Sequence, residues 1–249
     1  MRKFIGLICI LIGLILLVYT SLRVYQPKSL KLLECPDKYC VRISGRLSLE
    51  NVKEVNALGD NLKKIIVSSP GGNVGIGTDL GLSISEKEVL LVIIDRCTSA
   101  CAEFILPAAT KIIALNSPEI GFHGNPYIWG HLKASRGYNN PGWCESPARD
   151  KLDIIYQRRQ RNYEFSKAQL ERLGAARFSV SRDEEGCLLS SRFEFEHAFW
   201  FPTAEQLNEY LNIQIDGQLC SDDQSCVNKI IKANARGRTC VFGDIIQNC

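Results

Sequence analysis

From Val89 to Asp95 the chain runs Val-Leu-Leu-Val-Ile-Ile-Asp, apolar at every position but the last, with helix-like segments on both sides. A short, partly β-branched run with no polar alternation suits a strand covered on both faces, as in a parallel sheet with helices packed above and below it. The neighbouring segments fit that frame. Cys40-Val41-Arg42-Ile43-Ser44-Gly45 alternates like a strand, and Glu50 to Asp60 has helical character. A second strand is expected at Lys64 to Ser68, broken sharply at Ser69-Pro70-Gly71-Gly72. Val74 to Glu86 then carries Ile76, Leu80 and Ile84 at every fourth position, a helical repeat. Ser99 to Ala109 is helix-like, and Lys111 to Leu115 and Glu119 to His123 are short strands. Strands alternating with helices predict an α/β domain.

Beyond His123 the character changes. Gly, Asn, Pro and Trp fill residues 124–147, an irregular insertion suited to a functional loop or lid. Ala148 to Leu173 is the longest helical candidate, and its Arg158, Arg159 and Arg161 are expected on a solvated face. Another helix is expected over Thr203 to Leu211, and the tail from Gln214 to Cys249 is cysteine-rich and should depend on disulfides for order. The predicted organisation is an N-terminal anchor over residues 1–23, a linker over 24–39, an α/β domain over 40–215 and a tail over 216–249.

Nineteen residues from Phe4 to Leu22 carry no charge. As a helix rising about 1.5 Å per residue, such a stretch just crosses a hydrocarbon core of about 30 Å. Uniform apolarity and the Arg2-Lys3 prefix favour a membrane span over a buried core helix. Val18, Tyr19 and Thr20 fit a small-residue cleavage site poorly, which favours an uncleaved signal anchor. Arg2 and Lys3 before the span are balanced by Arg23, Lys28 and Lys31 after it, so charge does not orient it.

Cysteine usage speaks to orientation instead. Of eleven cysteines, Cys9 lies in the span and an even ten lie outside it. Cys35 with Cys40, and Cys220 with Cys226, close short loops of the kind disulfides staple in oxidising compartments. The soluble part is therefore expected outside the cytoplasm, in the periplasm if the source is a Gram-negative bacterium; buried reduced thiols in a cytosolic protein are the alternative. None of the closer cysteine pairs has two intervening residues, so no metal is expected. Gly75-x-Gly77 is incomplete as a dinucleotide fingerprint, and no cofactor is expected. A net charge of +3 without a long basic run leaves no nucleic-acid footprint.

Three separated segments carry possible chemistry: Ser68-Ser69-Pro70-Gly71-Gly72, Cys97-Thr98-Ser99-Ala100-Cys101-Ala102 and Gly121-Phe122-His123-Gly124. Adjacent glycines after a strand let backbone N–H groups face a ligand with no Cβ in the way, although a plain βα turn has the same composition. A serine between a buried strand and a small-residue helix stands where helix N–H groups favour negative charge, although serine is also a common N-cap. His123 alone is as readily structural as a base.

In their order and spacing the three segments resemble the ClpP-like serine peptidases, a division of the ClpP/crotonase fold that includes signal peptide peptidase A. In that family a strand ending in Ser-Pro-Gly-Gly supplies an oxyanion amide, the next strand leads to a nucleophilic serine, and a histidine comes about 25 residues later; here the interval from Ser99 to His123 is 24. The segment from Phe201 to Leu211 resembles the family's aromatic, Ser/Thr-Ala-Glu-Glu and closing helix, and the resemblance covers roughly Val41 to Ile215. It implies a repeated ββα spiral and a peptide or protein substrate. By analogy it also implies assembly into homo-oligomers. Ser99 would be the nucleophile and His123 its base, with the N–H of Ala100 and of Gly71 or Gly72 holding the oxyanion. Ser99 lies between Cys97 and Cys101, where relatives have small residues.

The family's third triad member precedes the aromatic-Ser-Ala-Glu segment. Here Phe193, Phe195, Phe199 and Phe201 share one face of an alternating stretch and leave Glu194 and Glu196 on the other. Glu196 is the candidate carboxylate, with Glu194 and Asp183 as further candidates and an acid-free Ser-His dyad as the alternative. The competing function is a catalytically inactive member of the fold that acts as a binding or scaffold protein at the membrane. Thiol chemistry at Cys97 and Cys101 is disfavoured because Cys-x-x-x-Cys is not the usual redox spacing.

Overall fold

A computed structural model describes residues 32–124, 147–173, 181–182, 188–189, 199–233 and 239–248. The chain divides into two units, Met1–Glu34 and Cys35–Cys249, and the second contains every element below. The expected span at residues 4–22 lies outside the described residues, as do residues 125–146 of the insertion. Among the described residues no helix is long and apolar enough to cross a membrane.

The apolar run around Leu91 forms the centre of a parallel sheet. Strands β1 (Cys40–Ser44), β2 (Lys64–Ser69), β3 (Leu90–Thr98) and β4 (Lys111–Ala114) pair in that order, all parallel. Ile65, Ile66, Val67, Leu91, Val92 and Ile93 are buried, as strands packed on both faces require. β3 is long enough to change partners: Leu90–Ile93 pairs with β4, and Arg96–Thr98 pairs with β5 (Glu119–Gly121). Against β2, Val67 is opposite Ile93 but Ser69 is opposite Cys97, so β3 carries two extra residues before its end. Such a bulge bends a strand and re-aims the residues beyond it, here those leading to Ser99.

The helices form where capping and periodicity point. α1 (Leu49–Leu58) starts at Ser48, whose hydroxyl accepts from Asn51 N–H while the Asn51 side chain accepts from Ser48 N–H. α2 (Val74–Ser85) is capped by Asn73 and buries Leu80 and Ile84. Its Gly77 is a packing residue: a Cβ there would lie 2.8 Å from Phe104 Cδ2 and 3.0 Å from Ala100 Cβ. The segment after Ser99 is helical, as its composition suggests, but not as a regular α-helix. It runs as a π-helical turn at Cys101–Ile105 and then a single α-turn at Leu106–Ala108, a geometry often found at functional sites.

The expected long helix from Ala148 to Leu173 is two: α3 (Pro147–Arg159) and α4 (Glu164–Arg172), separated where Gln160 takes a left-handed φ of 51°. Of the three arginines expected on a solvated face, Arg158 is exposed and pairs with Glu86, but Arg159 and Arg161 turn inward. Arg159 Nε donates to Ala108 O at 2.9 Å, and Arg161 donates to Pro107 O, Ala109 O and Asn212 O at 2.9, 2.7 and 2.6 Å. A charge pattern in sequence cannot distinguish a guanidinium in water from one closing the end of another helix.

Toward the C-terminus come β6 (Trp200–Phe201), α5 (Ala204–Leu211) and β7 (Ile215–Asp216), which pairs parallel with β4 and completes a six-stranded sheet. Thr203 caps α5 in a capping box with Gln206. The tail then forms α6 (Gln224–Ala233) and the hairpin β8 (Thr239–Phe242) and β9 (Ile245–Asn248), with β8 parallel to β6. Disulfides do not order it alone. Val227, Ile230 and Phe242 pack with Phe201 in a second apolar cluster, and Phe201 stacks on Phe242 with ring centroids 4.9 Å apart.

Candidate active site

The register of β5 on β3 brings two distant segments together. Thr98 is opposite Gly121, and Ser99 N–H donates to Gly121 O at 2.9 Å. His123, two residues beyond that carbonyl, then meets the serine: Ser99 Oγ lies 2.6 Å from His123 Nε2. The histidine is held by its flanks. Phe122 exchanges two backbone hydrogen bonds of 2.8 Å with Trp200, and the Phe199 ring meets the imidazole edge-on with centroids 5.1 Å apart. Burial holds the His123 pKa below the ordinary histidine value, opposed in part by its own backbone. The ring is therefore neutral at pH 7, and in the tautomer protonated at Nδ1 its Nε2 accepts the serine proton.

Ser99 is not a helix cap. A capping serine has extended backbone and bonds a helix N–H, whereas Ser99 has φ 57° and turns its hydroxyl to His123. A left-handed non-glycine residue costs about 1–2 kcal/mol, so the surroundings must impose it. Part of the restraint is its own backbone, with Ser99 N–H on Gly121 O and Ser99 O accepting from Glu103 N–H, both at 2.9 Å. Another part is Gly71, at φ 88°, whose hypothetical Cβ would lie 2.5 Å from Thr98 O, 2.7 Å from Ser99 Cβ and 2.8 Å from Ala100 N. Glycine is required there both by conformation and by space.

The two glycines differ in what their amides do. Gly71 N–H donates to Ser69 Oγ at 3.1 Å and Gly71 O accepts from Leu47 N–H at 3.0 Å, so Gly71 is committed to holding the loop. Gly72 N–H and Ala100 N–H donate to no acceptor among the described residues. Of the candidate oxyanion donors Gly71, Gly72 and Ala100, the first is thus engaged and, among the described residues, the other two are open.

Two disulfides join the expected pairs, Cys35–Cys40 and Cys220–Cys226. A third is not among the expected ones: Cys97–Cys101, with both residues fully buried and Cα atoms 5.2 Å apart, brackets Ser99. Cys240 is disulfide-bonded as well. Glu196, Glu194 and Asp183 lie outside the described residues. Among the described residues no cluster of His, Cys, Asp and Glu could hold a metal ion.

Glu103 belongs to no motif and is absent from the expected site residues. It lies in the π-helical turn behind the serine, is 3% exposed, and accepts from Gln169 Nε2 of α4 at 2.7 Å. Among the described residues, Glu103 Oε2 and Gln169 Oε1 have no hydrogen-bond partner. Burial pushes the carboxyl up to about 8, against the pull of the Gln169 amide and, less, of the Gly124 backbone. A neutral acid fits this setting, because a proton on Oε2 gives the pair a donor it otherwise lacks. The available signal is one acidic residue inside the apolar run Ala102-Glu103-Phe104-Ile105-Leu106.

No family model matches this chain, and no curated protein does. Solved structures do match, among them a ClpP1 mutant from Listeria monocytogenes, at 16% identity with a TM-score of 0.36, covering 73% of this chain and 93% of that one. At that level of likeness the match bears on no residue of the site.

Proposed function

We propose that this chain is a membrane-tethered, ClpP-like serine hydrolase that cleaves acyl bonds of peptide or protein substrates, with Ser99 as nucleophile and His123 as base. The observation that carries the reading is the 2.6 Å contact of Ser99 Oγ with His123 Nε2, made by a serine at φ 57°. A strained serine presented on a strand-to-helix turn is a recurrent solution for exposing a nucleophile.

Ser99 Oγ attacks the substrate carbonyl carbon while His123 Nε2 takes the hydroxyl proton. The developing oxyanion is held by Gly72 N–H and Ala100 N–H, each such donor being worth about 3 kcal/mol in the transition state. The protonated histidine returns its proton to the leaving group, and water, activated in turn by His123, releases the acyl group from Ser99. The orienting carboxylate is sought first at Glu196; turnover of Glu196→Gln, Glu194→Gln and Asp183→Asn distinguishes a triad, whose broken acid costs up to about 10⁴-fold, from a Ser-His dyad. Residues 4–22 supply the tether, and the disulfides support an oxidising side of the membrane for the domain.

A fluorophosphonate probe applied to the full-length chain should label Ser99. Ser99→Ala should abolish labelling and leave thermal unfolding nearly unchanged, because among the described residues the hydroxyl bonds only to His123. Equal labelling of both proteins refutes the nucleophile, and a wild type that never labels favours a scaffold.

A further inference from the structure

The Cys97–Cys101 cross-link has no part in the chemistry above, yet it spans the nucleophile symmetrically. Cys97 is the next-to-last residue of β3 and Cys101 the first of the π-helical turn, with Thr98, Ser99 and Ala100 between them. In extended chain these two Cα atoms would stand about 13 Å apart; here they are 5.2 Å apart. A closed bond therefore excludes every extended arrangement of the three residues and leaves only reversed ones. The reversal observed is the one with Ser99 at φ 57°. Its other restraints are two backbone bonds of 2.9 Å and the close approach of Gly71. The sulfurs are packed in the core, both residues being 0% exposed, so the bond is fixed at the base of the turn.

Resting on the reading of Ser99 as nucleophile, we propose that the Cys97–Cys101 disulfide is the positioning element of the site. It holds Thr98 to Ala100 in the reversed turn that sets Ser99 Oγ on His123 Nε2 and keeps Ala100 N–H open, so the site is assembled only once this bond has closed. Closure removes two electrons and two protons from the paired thiols. These pass to a disulfide-bearing exchange partner, which leaves as a dithiol. Burial of both sulfurs places that exchange before the core packs around Phe104. The mature site is then insensitive to mild reductants, and its dependence on oxidation is a dependence of folding.

The test uses the full-length chain with both cysteines replaced, as Cys97→Ala/Cys101→Ala and as the better-filling Cys97→Val/Cys101→Ala. Two quantities are read: the rate of fluorophosphonate labelling, and the titration midpoint of His123 by carbon-13 histidine NMR, tractable with three histidines in the chain. In the disulfide-free chains labelling should fall at least tenfold. The His123 midpoint, depressed in the wild type, should move up toward the ordinary value of about 6.5 as the serine leaves and water enters. A folded disulfide-free chain with wild-type labelling and an unmoved midpoint overturns the proposal. If the wild type never labels, the hydrolase reading fails, but a shifted midpoint still establishes the positioning role. If neither variant folds, the wild type is unfolded, fully reduced and refolded with and without a disulfide oxidant: labelling that returns only in molecules whose Cys97 and Cys101 resist thiol alkylation supports the proposal, and labelling that returns while both remain alkylatable overturns it.

Discussion

At the front of the helical segment that succeeds β3, Ala100 N–H meets no acceptor among the described residues and Ser99 stands in a left-handed turn. At the back, the carbonyls of Pro107, Ala108 and Ala109 are met by Arg161 and Arg159, reaching across from the junction of α3 and α4. Both ends of any helix leave backbone groups unpaired. Here, among the described residues, the leading donor is left open and the acceptors are closed. An open donor at a helix start stabilises an anion, whereas an open buried acceptor only costs stability. The contrast separates a region arranged for chemistry from one arranged for folding, and substitutions at the two ends should therefore fail differently.

The largest effect is expected at the front. Gly71→Ala places a methyl within 2.8 Å of Ala100 N and 2.7 Å of Ser99 Cβ, so it should reduce labelling by about 10²–10³-fold, the scale of a lost oxyanion donor. Gly59→Ala is the matched control. It also has positive φ, 49°, but meets nothing within 4 Å, and should lower stability by about 1 kcal/mol with labelling intact. Equal labelling of the two variants removes the special role of the front end.

At the back, Arg161→Met should leave Ser99 and His123 reactive while lowering stability by about 3 kcal/mol. Three backbone carbonyls lose charged donors there, each such bond being worth roughly 1.5–3 kcal/mol and the losses being less than additive. Burial, and then the neighbouring Arg159, hold the Arg161 pKa down to about 10, which keeps it charged through the physiological range. Denaturant unfolding and probe labelling on the same preparation read the two quantities. A loss of labelling larger than the loss of stability explains would show that the ends are not separable.

Legibility in the sequence divides along the same line. Strands β2 and β3, helices α1 and α2 and the cap at Thr203 are local: periodicity, a Ser-Pro-Gly-Gly break and a capping box all lie within a dozen residues. The site is partly local too, since parallel pairing brings the ends of β2, β3 and β5 together. The positive φ of Ser99 is not local, because it depends on a glycine 28 positions earlier and a carbonyl 22 positions later. The Cys97–Cys101 bond is hidden in sequence because its spacing matches neither a redox motif nor an obvious loop, and only the reversed turn brings the sulfurs into reach. Arg159 and Arg161 read as solvated because the carbonyls they close lie about 50 residues away. Glu103 is invisible for a similar reason, its partner Gln169 being 66 positions distant.

Glu103 stands between the two ends and sharpens the comparison with the smallest effect. Its folded pKa is raised to about 8 by burial, so between the ordinary carboxylate value and that point the folded chain keeps a proton that the unfolded chain releases. Stability on this account is full below about pH 4.3, falls as pH rises toward 8 and is level above it. Glu103→Gln replaces the neutral acid by a group of the same shape whose amide N–H can serve Gln169 Oε1, so at pH 5 the substitution should change stability by less than about 1 kcal/mol. At pH 9 the variant should be the more stable protein, because it has no buried charge to form. Urea unfolding of both chains from pH 5 to pH 9 should give a falling profile for the wild type and a flatter one for the variant. Parallel profiles would mean that Glu103 is ionised throughout and that some cation satisfies its second oxygen. Labelling at pH 7 completes the comparison: if Glu103→Gln reacts like the wild type, the carboxyl belongs with the back of the segment, and if it slows tenfold or more, the carboxyl that accepts from the Gly124 backbone helps to hold Gly124, and with it His123, at the front.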